Sequence, residues 1–271
     1  MIQYLWLIPL GFAVGAYGTL IGAGGGFVLM PILLLAYPDE SPDLLTAISL
    51  AVVFFNALSG SVAYGRMRRI DYKSGLLMAS AALPGAVLGA LTTGHVPRQA
   101  FDIVLGILLV GVAAFLIWRP HPQASRATGG SAGALLLANE MNVRRYGTYS
   151  MPVALGLSFL VGFISSLVGV GGGIIHVPAM VHLLGFPVHV ATATSHFILC
   201  LTALTGTGVH IAQSDLAAGL GRIVGLSIGV VVGAQVGAVL SQRIHGKWII
   251  RGLAIALGMV GMRVLILAMG R

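Results

Sequence analysis

Eight apolar stretches make up most of this chain, at about residues 4–37, 44–64, 74–94, 100–118, 152–186, 190–210, 217–240 and 247–268. Six of them hold 19–24 residues, the length at which a helix crosses the roughly 30 Å hydrocarbon core of a bilayer. In lipid every backbone N–H and C=O must find an internal partner, so stretches of this kind become helices. Charge agrees: Lys, Arg, Asp and Glu are 8% of 271 residues, where a soluble domain carries roughly 25%. So few charges cannot cover a water-soluble protein of this size. The chain therefore reads as an all-α polytopic membrane protein. A soluble enzyme and a disordered tail are excluded, and the single cysteine, Cys200, excludes a disulfide scaffold.

Two stretches differ from the rest. Residues 4–37 and 152–186 hold 34 and 35 residues, which as single helices would be rods of roughly 50 Å, too long for one crossing. Each is interrupted near its middle by a glycine cluster, so each is expected to be a broken pair of helices. The N-terminus, MIQYLWLIPLGF, has no Lys or Arg ahead of its apolar run. It is not read as a cleaved secretory signal, and it fits a non-cytoplasmic N-terminus. Between the fourth and fifth stretches, residues 119–150 carry Pro, Ser, Gly and four arginines and read as a cytoplasmic linker.

The linker separates two similar halves, expected at 1–118 and 151–271. Residues 15–31 read GAYGTLIGAGGGFVLMP and residues 162–178 read GFISSLVGVGGGIIHVP. An offset of 147 superposes Gly15 on Gly162, Gly22 on Gly169, Gly24–Gly26 on Gly171–Gly173 and Pro31 on Pro178. Offsets of 146 and 144 then match TAIS at 46–49 with TATS at 192–195, Gly60 with Gly206, and Asp71, Gly75, Gly85 and Gly89 with Asp215, Gly219, Gly229 and Gly233. Such slow drift indicates an internal duplication. Four crossings per half would make the repeats parallel, whereas a hairpin plus three crossings would invert them. Counting Lys and Arg on the cytoplasmic side scores both arrangements equally. The length of the broken stretches favours the inverted one: two repeats, each a glycine-broken helical hairpin plus three transmembrane helices.

The clusters Gly22-Ala-Gly24-Gly25-Gly26 and Gly169-Val-Gly171-Gly172-Gly173 invite two readings. Glycines permit close helix packing and sharp turns. They also leave half-helices whose first N–H groups are unpaired and carry the positive dipole end, so that two facing breaks make an anion site without a charged side chain. A dinucleotide fingerprint is excluded by the helical flanks. After each break comes a polar stripe, Thr46, Ser49, Asn56 and Gly60 in the first half and Thr192, Ser195, Thr202 and Gly206 in the second. Small hydroxyls and amides donate to an oxyanion without the cost of a buried lysine, or they simply bond neighbouring helices. The candidate substrate-binding residues are Gly24, Gly25, Gly26, Ser49, Asn56, Gly171, Gly172, Gly173, Thr194, Ser195, His196 and Thr202. His196 is a candidate substrate contact or proton acceptor, with His176 second. No metal site, cofactor or catalytic residue is expected: Pro178, Gly185 and Pro187 break the spacing a helical pair of metal ligands among the second-half histidines would need, and no nucleophile motif is present.

The duplicated Gly-x-Gly-Gly-Gly…Pro motif, the eight-stretch hydropathy and the basic loop at 66–73 resemble the TauE/SafE family of membrane permeases over nearly the whole chain. The resemblance implies transport of sulfur-containing anions such as sulfite, sulfoacetate and related sulfonates, in the inner membrane of a bacterium. It sets no rule for which anion. All seven acidic residues fall in loops or at span ends, so no mid-membrane carboxylate is available as a proton relay. Export by alternating access needs none. An anion channel and a proton-coupled uptake permease are the alternatives. The expected partners are a small anion and the lipid bilayer, with no nucleic acid; a homodimer is one option for its assembly.

Overall fold

The computed structural model describes residues 5–118, 151–213, 219–241 and 246–269. The expected linker at 119–150 and the acidic residues Glu140 and Asp215 lie outside the described residues. Among the described residues ten helices follow in order: α1 (Leu7–Ile21), α2 (Gly26–Ala36), α3 (Pro42–Arg66), α4 (Tyr72–Thr93), α5 (Arg98–Trp118), α6 (Met151–Val168), α7 (Gly173–His182), α8 (Val188–Gln213), α9 (Leu220–Leu240) and α10 (Gly246–Met269). No strand occurs among the described residues. Six helices (α3, α4, α5, α6, α8 and α9) are long and apolar enough to cross a membrane. The chain is an all-helical, multi-pass membrane protein, as its hydropathy predicts.

Both long stretches are broken where the glycines cluster: α1 stops at Ile21 and α2 starts at Gly26, while α6 stops at Val168 and α7 starts at Gly173. Elsewhere the helix starts follow local chemistry. Ser41 accepts a hydrogen bond from the Leu44 amide, and Pro42 occupies the first helical position of α3. Asp71 caps α4 through the Ser74 amide and hydroxyl.

Glycine also sets how the helices pair. A Cβ on Gly11 would strike the Leu226 carbonyl, on Gly15 Val230, on Gly233 Phe12 and on Gly237 Ala16. Residue numbers rise together, so α1 and α9 run side by side in the same direction. Gly85 against Phe159 and Gly89 against Phe163 align α4 with α6 in the same way. In contrast, Gly60 faces His196 while Gly206 faces Leu50, so α3 and α8 are antiparallel. Gly106 against Leu265 and Gly261 against Leu109 make α5 and α10 antiparallel too. The main hydrophobic core runs along the α1–α9 and α5–α10 contacts, through Leu7, Val14, Leu105, Leu109, Leu226 and Leu257.

Candidate functional site

The two glycine breaks meet. Gly22 ends α1 in the left-handed region at φ 85°, followed by Gly24 at 75° and Gly25 at 79°; Gly169 and Gly171 take 69° and 82° in the second half. A side chain at these positions would be strained. Close approach imposes a second demand: a Cβ on Gly26 would strike the Val170 carbonyl, and one on Gly173 would strike the Gly22 carbonyl and Ala23. Gly24 and Gly171 both face Val53 of α3 and Leu199 of α8. The short helices α2 and α7 thus begin at a common crossing. Their first-turn amides, at Gly26 and Phe27 and at Gly173 and Ile174, have no intrahelical acceptor and carry the positive end of each helix dipole.

Ser49 and Ser195 tie this crossing together. Ser49 Oγ donates to the Gly169 carbonyl at 2.5 Å, and Ser195 Oγ donates to the Gly22 carbonyl at 3.3 Å. Each serine satisfies the first glycine of the other half's break, so its one proton is committed to the backbone. Two other candidate hydroxyls are engaged elsewhere. Thr202 Oγ1 donates to Ile198 on its own helix at 3.2 Å, and Thr194 Oγ1 accepts from the Asp71 amide at the start of α4 at 3.0 Å. His176 pairs with Ser158 Oγ at 3.3 Å. No cluster of metal-ligating side chains occurs among the described residues.

Asn56 and His196 come together through two residues that sequence reasoning did not single out, Thr19 and Tyr64. Thr19 Oγ1 donates to Asn56 Oδ1 at 3.0 Å and lies 3.2 Å from His196 Nε2. Tyr64 donates to the Thr19 carbonyl at 2.7 Å and stands edge-on to the His196 ring. Thr19, Asn56 and His196 are fully buried, and Asn56 Nδ2 has no hydrogen-bond partner. Leaving a buried donor unpaired costs about 1–3 kcal/mol, which points to a ligand that supplies the acceptor. The repeat held a signal for Thr19: its counterpart at offset 147 is Ser166, another hydroxyl.

At the end of the molecule where α3 begins, an ion pair and a histidine–carboxylate contact join the two halves. Arg222 of α9 binds Glu40 at 2.7 Å and lies over the Tyr37 ring at 3.8 Å, and His210 Nδ1 sits 2.8 Å from Asp43. Arg98 donates to the Glu40 and Leu34 carbonyls and so caps α2. A groove lined by Pro31, Leu35, Arg98, Asp102 and Leu267 lies here, at the C-terminal end of α2 rather than at the crossing. Toward the opposite end Met78, Met180, Phe186 and Ile198 form a second apolar cluster, near the Asp71–Thr194 bond. Breaking the ionic end should open it. In a Cys200→Ser background carrying Thr46→Cys, Glu40→Gln should speed labelling by a membrane-impermeant thiol reagent about 3–10-fold. An unchanged rate would mean that the pair does not hold this end shut.

The family model for the sulfite exporter TauE/SafE matches residues 7–264. The chain belongs to the TauE/SafE family. Among curated proteins, the probable membrane transporter protein YunE of Bacillus subtilis is 32% identical, covering 79% of this chain and 80% of its own. A probable membrane transporter protein of Methanocaldococcus jannaschii is 25% identical over 75% of this chain and 72% of its own. Another from Sinorhizobium sp is 27% identical over 83% and 80%. No solved structure matches the chain at a significant level. These likenesses make the chain a membrane transporter of the TauE/SafE family. Both glycine breaks, and the Thr19–Asn56–His196 cluster beside the first, fall within the matched residues.

Proposed function

We propose that the chain is a secondary transporter that exports small sulfur-containing oxyanions, such as sulfite, sulfoacetate or related sulfonates, by alternating access around the glycine crossing. The observation that carries this reading is the meeting of two helix N-termini beside a buried, unpartnered Asn56 amide. Backbone dipoles and a neutral donor there take the place of a buried cationic side chain. The relatives' names as membrane transporters, and the family's description as a sulfite exporter, support the class.

Helix directions support inverted repeats. The Asp43–His210 and Glu40–Arg222 contacts bring the start of α3, the end of α8 and the start of α9 together, and α1 runs alongside α9 in the same direction. So α1 enters from the end where α3 begins, and α2, which leads into α3, returns there. By the same reasoning α6 and α7 enter and leave at the other end, with α4. Each half is then a re-entrant hairpin followed by three crossings, and its odd parity inverts the second half. With the basic loop at 66–73 cytoplasmic, the Glu40–Arg222 end faces outward.

Described acidic side chains lie at helix starts or in the α2–α3 connection: Asp43 in the first turn of α3, Asp71 capping α4, and Asp102 near the start of α5 beside Arg98. A −2 anion leaving an inside-negative cell gains roughly 4.6 kcal/mol per 100 mV, so export needs no proton relay. In proteoliposomes, sulfite or sulfoacetate efflux should rise with an inside-negative potential and show saturable counterflow. Flux indifferent to potential would remove electrogenic export. Flux driven by a pH gradient and lost in His196→Leu would favour proton-coupled uptake, and unsaturable flux without counterflow would indicate a channel.

A further inference from the structure

The two halves meet with matched backbones and unmatched side chains. Thr19, Asn56, Tyr64 and His196 have as positional counterparts Ser166, Thr202, His210 and Leu50. On the first-half side of the crossing, Asn56 and His196 both engage the Thr19 hydroxyl. On the other side Leu50 stands where a histidine would, facing Gly206 as His196 faces Gly60. Thr202 there bonds its own helix. Ser166 Oγ there is buried without a partner among the described residues, so the hydrogen-bonded chain through a histidine and an amide forms only on the first-half side.

Proton counting gives that chain a direction. Thr19 has one hydroxyl proton, donated to Asn56 Oδ1; the bond between Thr19 Oγ1 and His196 Nε2 must then be donated by the ring N–H. The chain runs His196 to Thr19 to Asn56, and each bond polarises the next. It ends at a carboxamide whose oxygen is occupied and whose NH2 group is buried with no partner among the described residues. Tyr64 fixes the start of the chain, since it holds the Thr19 carbonyl at 2.7 Å and flanks the His196 ring.

We propose that Thr19 is a positioning residue of the anion site. Its hydroxyl, seated on His196, holds the Asn56 carboxamide so that Nδ2 is presented to the anion. The anion accordingly sits on the first-half side of the crossing, under Tyr64, and not on the axis between the halves. The site selects an oxyanion able to accept from a neutral primary amide while the helix N-termini balance its charge. This inference rests on the anion-transport reading above.

The test measures sulfite and sulfoacetate binding to the purified full-length protein by calorimetry, together with their flux in proteoliposomes. Thr19→Val keeps the side chain's shape and removes its hydroxyl. It should weaken binding and raise KM roughly tenfold with kcat little changed, and Thr19→Ser should restore both. Wild-type affinity in Thr19→Val overturns the proposal. So does a serine variant as weak as the valine one, because volume rather than the hydroxyl would then be at work. Should Thr19→Val fail to reconstitute, Asn56→Leu decides, since it keeps the approximate volume and removes the amide donor. At least a roughly tenfold loss of affinity at an unchanged Tm is expected, and retained affinity overturns the proposal. A wild-type protein that binds neither anion overturns the transport reading and this proposal with it.

Discussion

Gly173→Ala should reduce anion flux in proteoliposomes by roughly 5–150-fold, the range set by about 1–3 kcal/mol of overpacking. The backbone of Gly173 suits any residue, as it is already the first residue of α7. The obstacle is what its Cβ would meet: the Gly22 carbonyl and the Ala23 backbone of the other break, neither of which can rotate away as a side-chain tip would. The two half-helices must then separate, and with them the Ser195–Gly22 and Ser49–Gly169 ties. Gly26→Ala meets the Val170 carbonyl in the same way and should match it. Gly208→Ala is the control. It lies within α8, away from the crossing, and a Cβ there would meet nothing within 4 Å. Flux is to be measured at equal reconstituted protein, with gel filtration confirming a monodisperse species. Wild-type flux in Gly173→Ala would mean that the crossing can loosen without consequence and would remove it as the transport site.

The largest effect on folding should come from the paired helices outside the crossing. Gly229, Gly233 and Gly237 form one face of α9 at helical spacing, and each would drive a Cβ into a backbone carbonyl of α1. Gly85 and Gly89 do the same from α4 against α6. In a bilayer, helix association depends on close packing of small residues because lipid tails are as apolar as leucine. A leucine at Gly233 or Gly89 therefore removes the contact instead of reshaping it, and the expected outcome is loss of monodisperse protein after detergent extraction. Leucine at Gly111 or Gly156, where nothing lies within 4 Å, should leave yield and melting temperature within error. Equal yields across all four variants would show that the α1–α9 and α4–α6 approaches do not hold the fold together.

Much of this was legible in the chain. The positions of both helix breaks follow from stretch length and glycine clustering, because a rod of roughly 50 Å has no place in a bilayer. Gly85, Gly89, Gly229 and Gly233 were legible as repeat partners, yet not as the surfaces on which α1 and α6 are seated. A local sequence does not state which helix will arrive. The polar stripe was legible as a set of hydroxyls and an amide, but not by role. Its members look alike along α3 and α8, and only the partner each one meets distinguishes a clamp from a free donor. His196, next to Ser195, was legible as a candidate substrate contact. Thr19, which connects it to Asn56, lay unremarked among glycines in a segment read for its backbone.

The sequence by itself determined an all-helical membrane protein, the glycine clusters in which two helices stop, and the family to which those clusters belong. These are local properties, set by the cost of unsatisfied backbone in lipid and by glycine's access to positive φ. The tertiary structure decided which polar groups remain available. Ser49 and Ser195 are occupied by carbonyls 120 and 173 residues away, while the Asn56 amide keeps an unpaired, buried donor. A hydrogen bond has one donor proton to give, and whether it is already given depends on contacts made only when the two breaks cross.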